Sequence, residues 1–89
     1  MKVAKTLKQI WNIYQKYDYM GEDYKYKNVI LKDAPGGGGS MWVIYKGNKI
    51  EHLSVDRMSY ANFSKNVRFI IKYKPTSTKD YFEKLDKYK

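Results

Sequence analysis

A Pro-Gly-Gly-Gly-Gly-Ser run at residues 35–40 divides the chain into two segments, 1–34 and 41–89. Met41, directly after the run, resembles a second initiator methionine. Gly and Ser tolerate many backbone conformations and offer little to a core, so they form flexible connections. Both flanking segments are rich in Lys, Tyr and Ile and lack Cys. We therefore interpret residues 35–40 as an engineered linker that joins two pieces of one parent protein within a single small domain.

Three kinds of engineering fit this linker: a circular permutation, a fusion, and the replacement of a loop in the native order. In a permutant, the parent would run from Lys89 into Lys2. Seven apolar residues would then form one seam along a single long helix: Tyr81, Leu85, Tyr88, Ala4, Leu7, Trp11 and Tyr14. A natural glycine-rich loop is the remaining interpretation, although such loops seldom lack polar variety.

The composition predicts one globular domain, because 43% of the 89 residues are hydrophobic and 17% are aromatic. The sequence contains neither an apolar run of transmembrane length nor the hydrophobic region of a signal peptide. We therefore expect a cytoplasmic, nuclear or intravirion protein that is not secreted and does not span a membrane. The lack of Cys excludes disulfides and thiolate metal sites, and we expect neither a cofactor nor a metal.

The net charge of +9 is large for a chain of this length. Such an excess favours polyanionic partners, nucleic acid above all. The cations are almost all lysines, with arginine only at Arg57 and Arg68. An AT-rich parent genome, such as that of a phage, a virus or a low-GC microbe, would raise Lys, Asn, Ile and Tyr together without selection for binding. It would not explain why only nine acidic residues accompany them.

Helical periodicity is present near both ends of the chain. It predicts an amphipathic helix over residues 3–18, ended by Gly21, from apolar residues at helical spacing: Leu7, Ile10, Trp11 and Tyr14. Ser77 and Asp80 resemble a capping box and predict a second helix through Tyr88. Residues 56–65 are ambiguous. Asp56 caps a short helix there, or the segment is an ordered loop.

Strand-like patterns fill most of the rest. Residues 24–32 alternate Tyr with Lys and then form a buried run, which predicts one strand. Residues 42–45 and 50–55 predict a hairpin with Gly47–Asn48 as its turn. Residues 67–74 alternate apolar and polar side chains before Pro75 and predict another strand. The fold class is therefore α+β, with about four mainly antiparallel strands packed against one long or two shorter amphipathic helices.

The strongest candidate site combines basic and aromatic residues on two of these predicted strands. Lysines neutralise phosphates and tyrosine rings stack on exposed bases. The predicted phosphate contacts are Lys25, Lys27, Arg68, Lys72 and Lys74, and the predicted stacking residues are Tyr24, Tyr26 and Tyr73. The alternative is a solvated outer sheet face with half-buried tyrosines. Partners would meet the uncovered sheet face or the helix face that carries Lys5, Lys8 and Lys16.

The function predicted from the sequence is non-catalytic nucleic-acid binding, to DNA or RNA, through the phosphate backbone with tyrosine stacking. We expect no catalytic residue. The lone His52, with Asp56 nearby in sequence, is interpreted as a partly exposed strand residue, and no carboxylate pair or nucleotide-binding motif is present. The main alternative is a phage- or virus-type interaction module or inhibitor that uses exposed aromatics, possible also as a homodimer. A toxin-type endoribonuclease fits the size and charge only loosely.

Overall fold

The computed structural model describes residues 1–16, 21–34 and 39–88. These ranges contain five strands: Lys2–Val3 (β1), Tyr24–Tyr26 (β2), Val29–Asp33 (β3), Ser40–Tyr45 (β4) and Asn48–Ser54 (β5). They also contain a short 3₁₀ helix, Val55–Arg57, and three α-helices: Leu7–Gln15 (α1), Tyr60–Tyr73 (α2) and Thr78–Lys87 (α3). The predicted α+β class is confirmed, with one strand and one helix more than expected.

The strands form a single sheet in the order β1-β2-β3-β4-β5. β2 to β5 pair antiparallel with their neighbours, and only the two-residue β1 pairs parallel, with β2. The buried side chains of the strands occupy one face, and residues from all three helices join them in one core cluster. The helices therefore cover one face of the sheet, as the economical burial of two apolar surfaces requires.

The predicted hairpin of β4 and β5 is confirmed, but its turn lies one residue earlier than expected. Tyr45 pairs with Asn48, so the two loop residues are Lys46 and Gly47. Both have positive φ, 50° and 81° respectively. Two consecutive positive φ values match the right-handed twist of the flanking strands, which is why such turns are common in two-residue hairpins.

The single strand predicted over residues 24–32 is wrong, because the chain turns back on itself within that segment. Tyr26 pairs with Val29, so Lys27 and Asn28 form the loop between β2 and β3. Lys27 adopts a positive φ of 52°, a conformation that a lysine rarely takes. The alternating Tyr-Lys pattern and the apolar run therefore belong to two antiparallel strands.

The strand predicted over residues 67–74 is also wrong, since these residues form the second half of α2. Ser59 caps this helix by accepting the N–H of Asn62 at 3.2 Å, whereas Asp56 lies in the preceding 3₁₀ helix. The side chains buried along α2 follow helical spacing: Phe63, Ser64, Val67 and Ile70. Lys74 ends the helix in the left-handed conformation, directly before Pro75.

The first helix is shorter than the predicted range of 3–18. Thr6 and Gln9 form a capping box at its start, and the preceding residues pair with β2 instead of extending the helix. Residues 17 and 18 of the predicted helix lie outside the described residues. In this chain α1 and α3 are separate helices, and the long helix across a Lys89–Lys2 join stays a prediction about a parent protein.

The predicted helix after Ser77 is confirmed as α3. Ser77 accepts the N–H of Asp80 at 3.0 Å, but the Asp80 carboxylate accepts the Thr76 N–H instead of completing a capping box. This bond and the ion pair with Lys84 at 3.2 Å hold the pKa of Asp80 below its usual value. Within the described ranges, no helix is long and apolar enough to cross a membrane.

The glycine run connects two neighbouring strands, since Asp33 of β3 pairs with Met41 of β4. Its last two residues belong to the ordered sheet region. The carbonyl of Gly39 accepts the Val55 N–H at 2.7 Å, and the carbonyl of Ser40 accepts the Ala34 N–H at 3.1 Å. Residues 35–38 of the predicted linker lie outside the described residues, and its engineered origin stays a prediction.

Candidate functional site

The sheet face opposite the helices is the candidate functional site. We call it the outer sheet face and define it by seven side chains: Lys25, Ile30, Lys32, Trp42, Ile44, Lys49 and His52. The four cationic or titratable residues among them are exposed, and the three apolar ones are partly buried. The three apolar residues do not belong to the core cluster or to the partly buried side chains that pack against it.

Strand pairing arranges these side chains in two rows. Across β2 to β5 the first row runs Lys25, Ile30, Ile44 and Lys49, with a lysine at each end of this four-strand part. The exposed Val3 of β1 pairs with Lys25 beyond it. The second row runs Lys32, Trp42 and His52 across three strands. Neighbouring strands lie about 4.8 Å apart, so the first row spans roughly 14 Å. The result is an apolar centre bordered by cations.

A β-bulge in β5 places Lys49 on this face. Val43 pairs with Glu51 and Ile44 pairs with Lys49, which leaves Ile50 as the extra residue. Without the extra residue Ile50 would lie opposite Ile44 on the outer face. With it, Ile50 is fully buried and Lys49 is exposed. The hydroxyl of Thr78 in α3 donates to the carbonyl of Ile50 at 2.8 Å and so fastens the helix to this edge strand.

Trp42 is the central side chain of the outer sheet face. The His52 ring lies edge-on to it, with ring centroids 5.0 Å apart and an interplanar angle of 62°. The ammonium group of Lys49 lies 5.1 Å from the centroid of the Trp42 ring. Such a contact is a cation–π interaction, worth about 0.5–1 kcal/mol at an exposed site. The indole is therefore held by a cation and by an aromatic ring.

The outer sheet face is positively charged without acidic neighbours in its rows. None of its described positions is Asp or Glu, and its lysines form no ion pair with a described residue. Asp33 and Glu51 pair with Met41 and Val43, in the rows that face the helices. Partial burial, with the nearby Asp23 charge, raises the pKa of Asp33. Within the paired strands, both acidic residues therefore lie in rows other than those of the outer lysines.

The residues predicted to form one nucleic-acid site lie in different parts of the structure. Lys25 lies on the outer sheet face and Lys27 in the β2–β3 turn, but Tyr24 and Tyr26 are buried in the core, with 5% and 7% exposure. Their rings therefore offer no free face for stacking on a base. Lys25 and Lys27 do not lie on a strand next to Arg68 and Lys72, because Arg68 and Lys72 belong to α2.

The remaining predicted residues lie on or after α2. Arg68, Lys72 and Lys74 are exposed there, which leaves a contact with phosphate possible but separates them from the sheet. Tyr73 stacks on Tyr88, the residue directly after α3, with ring centroids 4.4 Å apart. A nucleic-acid role for these residues stays a prediction.

Sequence reasoning did not find Lys32, Trp42 and Lys49 as parts of one site. The alternation of apolar and polar residues hinted that Lys32 and Trp42 lie on strands. Lys32 and Trp42 lie side by side only because β3 pairs with β4 across the glycine run. Lys49 lies on the same face only because of the bulge in β5. Neither feature has a local signature in the sequence.

A second exposed surface lies between α2 and α3. Phe82 and Tyr88 are 52% and 48% exposed, and with Phe69 and Leu85 they line a groove that also contains Lys65 and Asp86. No group of three or more metal-ligating side chains occurs within residues 1–16, 21–34 and 39–88.

Comparison of the chain with protein-family models, with curated proteins and with solved structures gives no significant match. Function is therefore inferred from the geometry and charge of this chain's own residues.

Proposed function

We propose that the protein binds nucleic acid without catalysis and that the outer sheet face is the contact surface. The observation that carries the proposal is the combination on one open face of Trp42, three lysines and no carboxylate. Lysines bind phosphates by releasing condensed counterions, and an aromatic side chain adds stacking on bases. The net charge of +9 would strengthen the attraction and speed association.

The proposal changes the residues assigned to each role. Lys25 keeps its predicted role in phosphate binding and is joined by Lys32 and Lys49. Trp42 takes the stacking role first given to Tyr24 and Tyr26, because those tyrosines are buried. The predicted cations Lys27, Arg68, Lys72 and Lys74, with Tyr73 beside them, would contribute to long-range attraction rather than to the central contact.

The test is a fluorescence-anisotropy titration with labelled single-stranded DNA, duplex DNA and RNA, each at low and at physiological salt. We expect micromolar or tighter binding at low salt and a steep loss of affinity as salt increases. A sheet variant (Lys25→Glu, Lys32→Glu and Lys49→Glu) should weaken binding by more than about tenfold, because three phosphate contacts become repulsive.

The matched control is a helix variant with Lys65→Glu, Arg68→Glu and Lys72→Glu, all at exposed positions of α2. Each substitution removes two positive charges, so both triple variants have a net charge of +3. If the sheet is the contact surface, the helix variant loses much less affinity than the sheet variant. Equal losses would assign binding to overall charge, and no binding by the unmodified protein would refute the proposal.

Protein binding is the second candidate function, favoured by the exposed Phe82 and Tyr88 in the groove between α2 and α3. Exposed aromatic side chains are common anchors of protein interfaces. An interface anchored in this way depends on salt much less than phosphate binding does. Phe82→Ala would weaken such an interaction and leave nucleic-acid binding unchanged.

A further inference from the structure

We infer that the outer sheet face binds single-stranded DNA, with an unpaired base stacked on Trp42 in place of the Lys49 ammonium group. The inference rests on the proposed function and specifies which nucleic acid the face selects. Four observations on the face lead to it: its apolar centre, the position of Lys49, the spacing of its cations and the aliphatic side chains on one side of Trp42.

The apolar centre argues for unpaired bases. Trp42 lies between Lys32 and His52 in one row, and Ile30 and Ile44 occupy the middle of the other. A duplex presents phosphates and sugars outward and keeps the faces of its bases stacked inside. Docking a duplex here would cover apolar side chains with charged phosphates, whereas a single strand can place a base on the indole.

The position of Lys49 indicates how the face changes on binding. In the free protein its ammonium group lies 5.1 Å from the Trp42 ring centroid. Stacking of a base on the same indole is a stronger interaction than an exposed cation–π contact. A base would therefore displace the ammonium group, and the flexible lysine stem would carry it to an adjacent phosphate. One side chain thus covers the indole in the free protein and binds phosphate in the complex.

The cations lie where the backbone of a strand crossing the face would need them. Lys25 and Lys49 lie at opposite ends of the first row, roughly 14 Å apart from three inter-strand spacings, and Lys32 begins the second row. Phosphates on both sides of a base stacked at Trp42 would reach a lysine. The face accommodates a few nucleotides, which is the scale of sequence-tolerant single-strand binding surfaces.

The side chains around Trp42 favour DNA over RNA. Its neighbours on one side, Ile44 on the same strand and Ile30 in the adjacent row, offer no hydrogen bond to a 2′-hydroxyl, and the hydroxyls of the paired Ser40 and Ser54 lie on the opposite side. That hydroxyl is the group by which proteins distinguish RNA from DNA. Deoxyribose and the methyl group of thymine can instead pack against Ile30 and Ile44.

Trp42 itself can report the interaction, because the chain has only two tryptophans. Trp11 lies in α1, packed against Tyr60 and Phe63 with ring centroids 5.8 and 5.4 Å away, on the covered side of the sheet. In the Trp11→Phe variant, all tryptophan emission comes from Trp42. In the Trp42→Phe variant, all of it comes from Trp11.

The experiment titrates both variants with oligo(dT), with oligo(U) and with a DNA duplex, each about 16 nucleotides long. We expect oligo(dT) to quench Trp42 emission and to bind at least about tenfold more tightly than the duplex, with oligo(U) weaker than oligo(dT). Emission from Trp11 in the Trp42→Phe variant should not change. Equal affinity for duplex and single strand with an unquenched Trp42 would overturn the inference and leave the proposed function standing.

Two substitutions separate stacking from folding. Trp42→Ala should weaken oligo(dT) binding by about tenfold or more, and Trp42→Phe by less, because phenylalanine retains a stacking face. The ratio of oligo(dT) affinity to duplex affinity should therefore fall in both variants, and most in Trp42→Ala, with thermal unfolding measured alongside to verify that each is folded. An alanine variant that is folded and binds oligo(dT) as the unmodified protein does would also refute the stacking role. Tighter binding to oligo(U) would refute the choice of DNA, and no binding to any probe would refute the proposed function itself.

Discussion

The two faces of the sheet are built from alternate residues of the same strands, yet they differ in burial and charge. On β3, Leu31 is fully buried against the helices, whereas the adjacent Ile30 is partly buried on the outer sheet face. The covered face holds aliphatic side chains and buried tyrosines, and the outer face holds lysines around a tryptophan. The apolar residues of the outer face therefore need a reason other than core packing, since no described helix packs on them.

The largest effect on stability is expected for substitution of Leu31, in comparison with the adjacent Ile30. Leu31→Ala should reduce the free energy of unfolding by about 2–5 kcal/mol, because it opens a cavity in the middle strand of the sheet. Ile30→Ala should cost roughly 1 kcal/mol, since its side chain is only partly removed from water. Urea unfolding of both variants measures the difference. Similar losses for the two would mean that the outer face is covered by something the described residues do not include.

The next effect concerns an ionisable group on the covered face. Burial, with the Glu51 charge, raises the pKa of Tyr81 to about 12 from its ordinary 10.0. Below about pH 10 the phenol is protonated in both states, so its contribution to stability is fully present. Between about pH 10 and pH 12 the unfolded chain loses this proton while the folded chain keeps it, and stability falls as pH rises.

The size of that alkaline loss is on the order of 2 kcal/mol. Tyr81→Phe removes the titrating phenol and should make the decline between about pH 10 and about pH 12 correspondingly shallower. Lysine titration affects both proteins alike, so the difference between their urea-unfolding free energies isolates Tyr81. Identical pH profiles would show that the phenol is not buried as the structure has it.

A smaller effect tests the link between the helical layer and the edge of the sheet. The Thr78 hydroxyl donates to the carbonyl of Ile50 at 2.8 Å and also lies 3.2 Å from the carbonyl of Lys49. Thr78→Val should cost about 1 kcal/mol, the usual net value of one hydrogen bond. Because the bonds lie at the bulge, hydrogen exchange in α3 and β5 should rise more than in β3. A uniform increase across the sheet would instead indicate a global loss of stability.

Sequence patterns predicted the class of the fold better than the position of its elements. The β4–β5 hairpin and the helix after Ser77 were predicted because Gly47 and a capping serine mark them locally. The helix α2 was missed because residues 67–74 also alternate like a strand. The helical spacing of Phe63, Val67 and Ile70 decides the structure only over the longer window that begins at Ser59.

The candidate site was harder to predict than the fold, for a physical reason. Lys32 and Trp42 lie on opposite sides of the glycine run and meet only through strand register, which depends on long-range packing. The β2–β3 turn depends on a positive φ at Lys27. A lysine in the sequence does not predict this conformation. Tyr24 and Tyr26 are buried because they alternate with the exposed Lys25 along β2 and so join the core cluster.

The smallest effect on stability is expected for substitution of Lys32 on the outer sheet face. Lys32→Gln removes one exposed charge from the outer sheet face, where no described carboxylate pairs with it. The free energy of unfolding should therefore change by less than about 0.5 kcal/mol. If the face binds phosphates, the same substitution lowers the slope of log affinity against log salt by roughly one ion. Anisotropy titrations at several salt concentrations measure that slope. If Lys32 contributes to salt-dependent binding but not to stability, the outer sheet face is functional. An unchanged slope would mean that Lys32 is only a solvated surface residue.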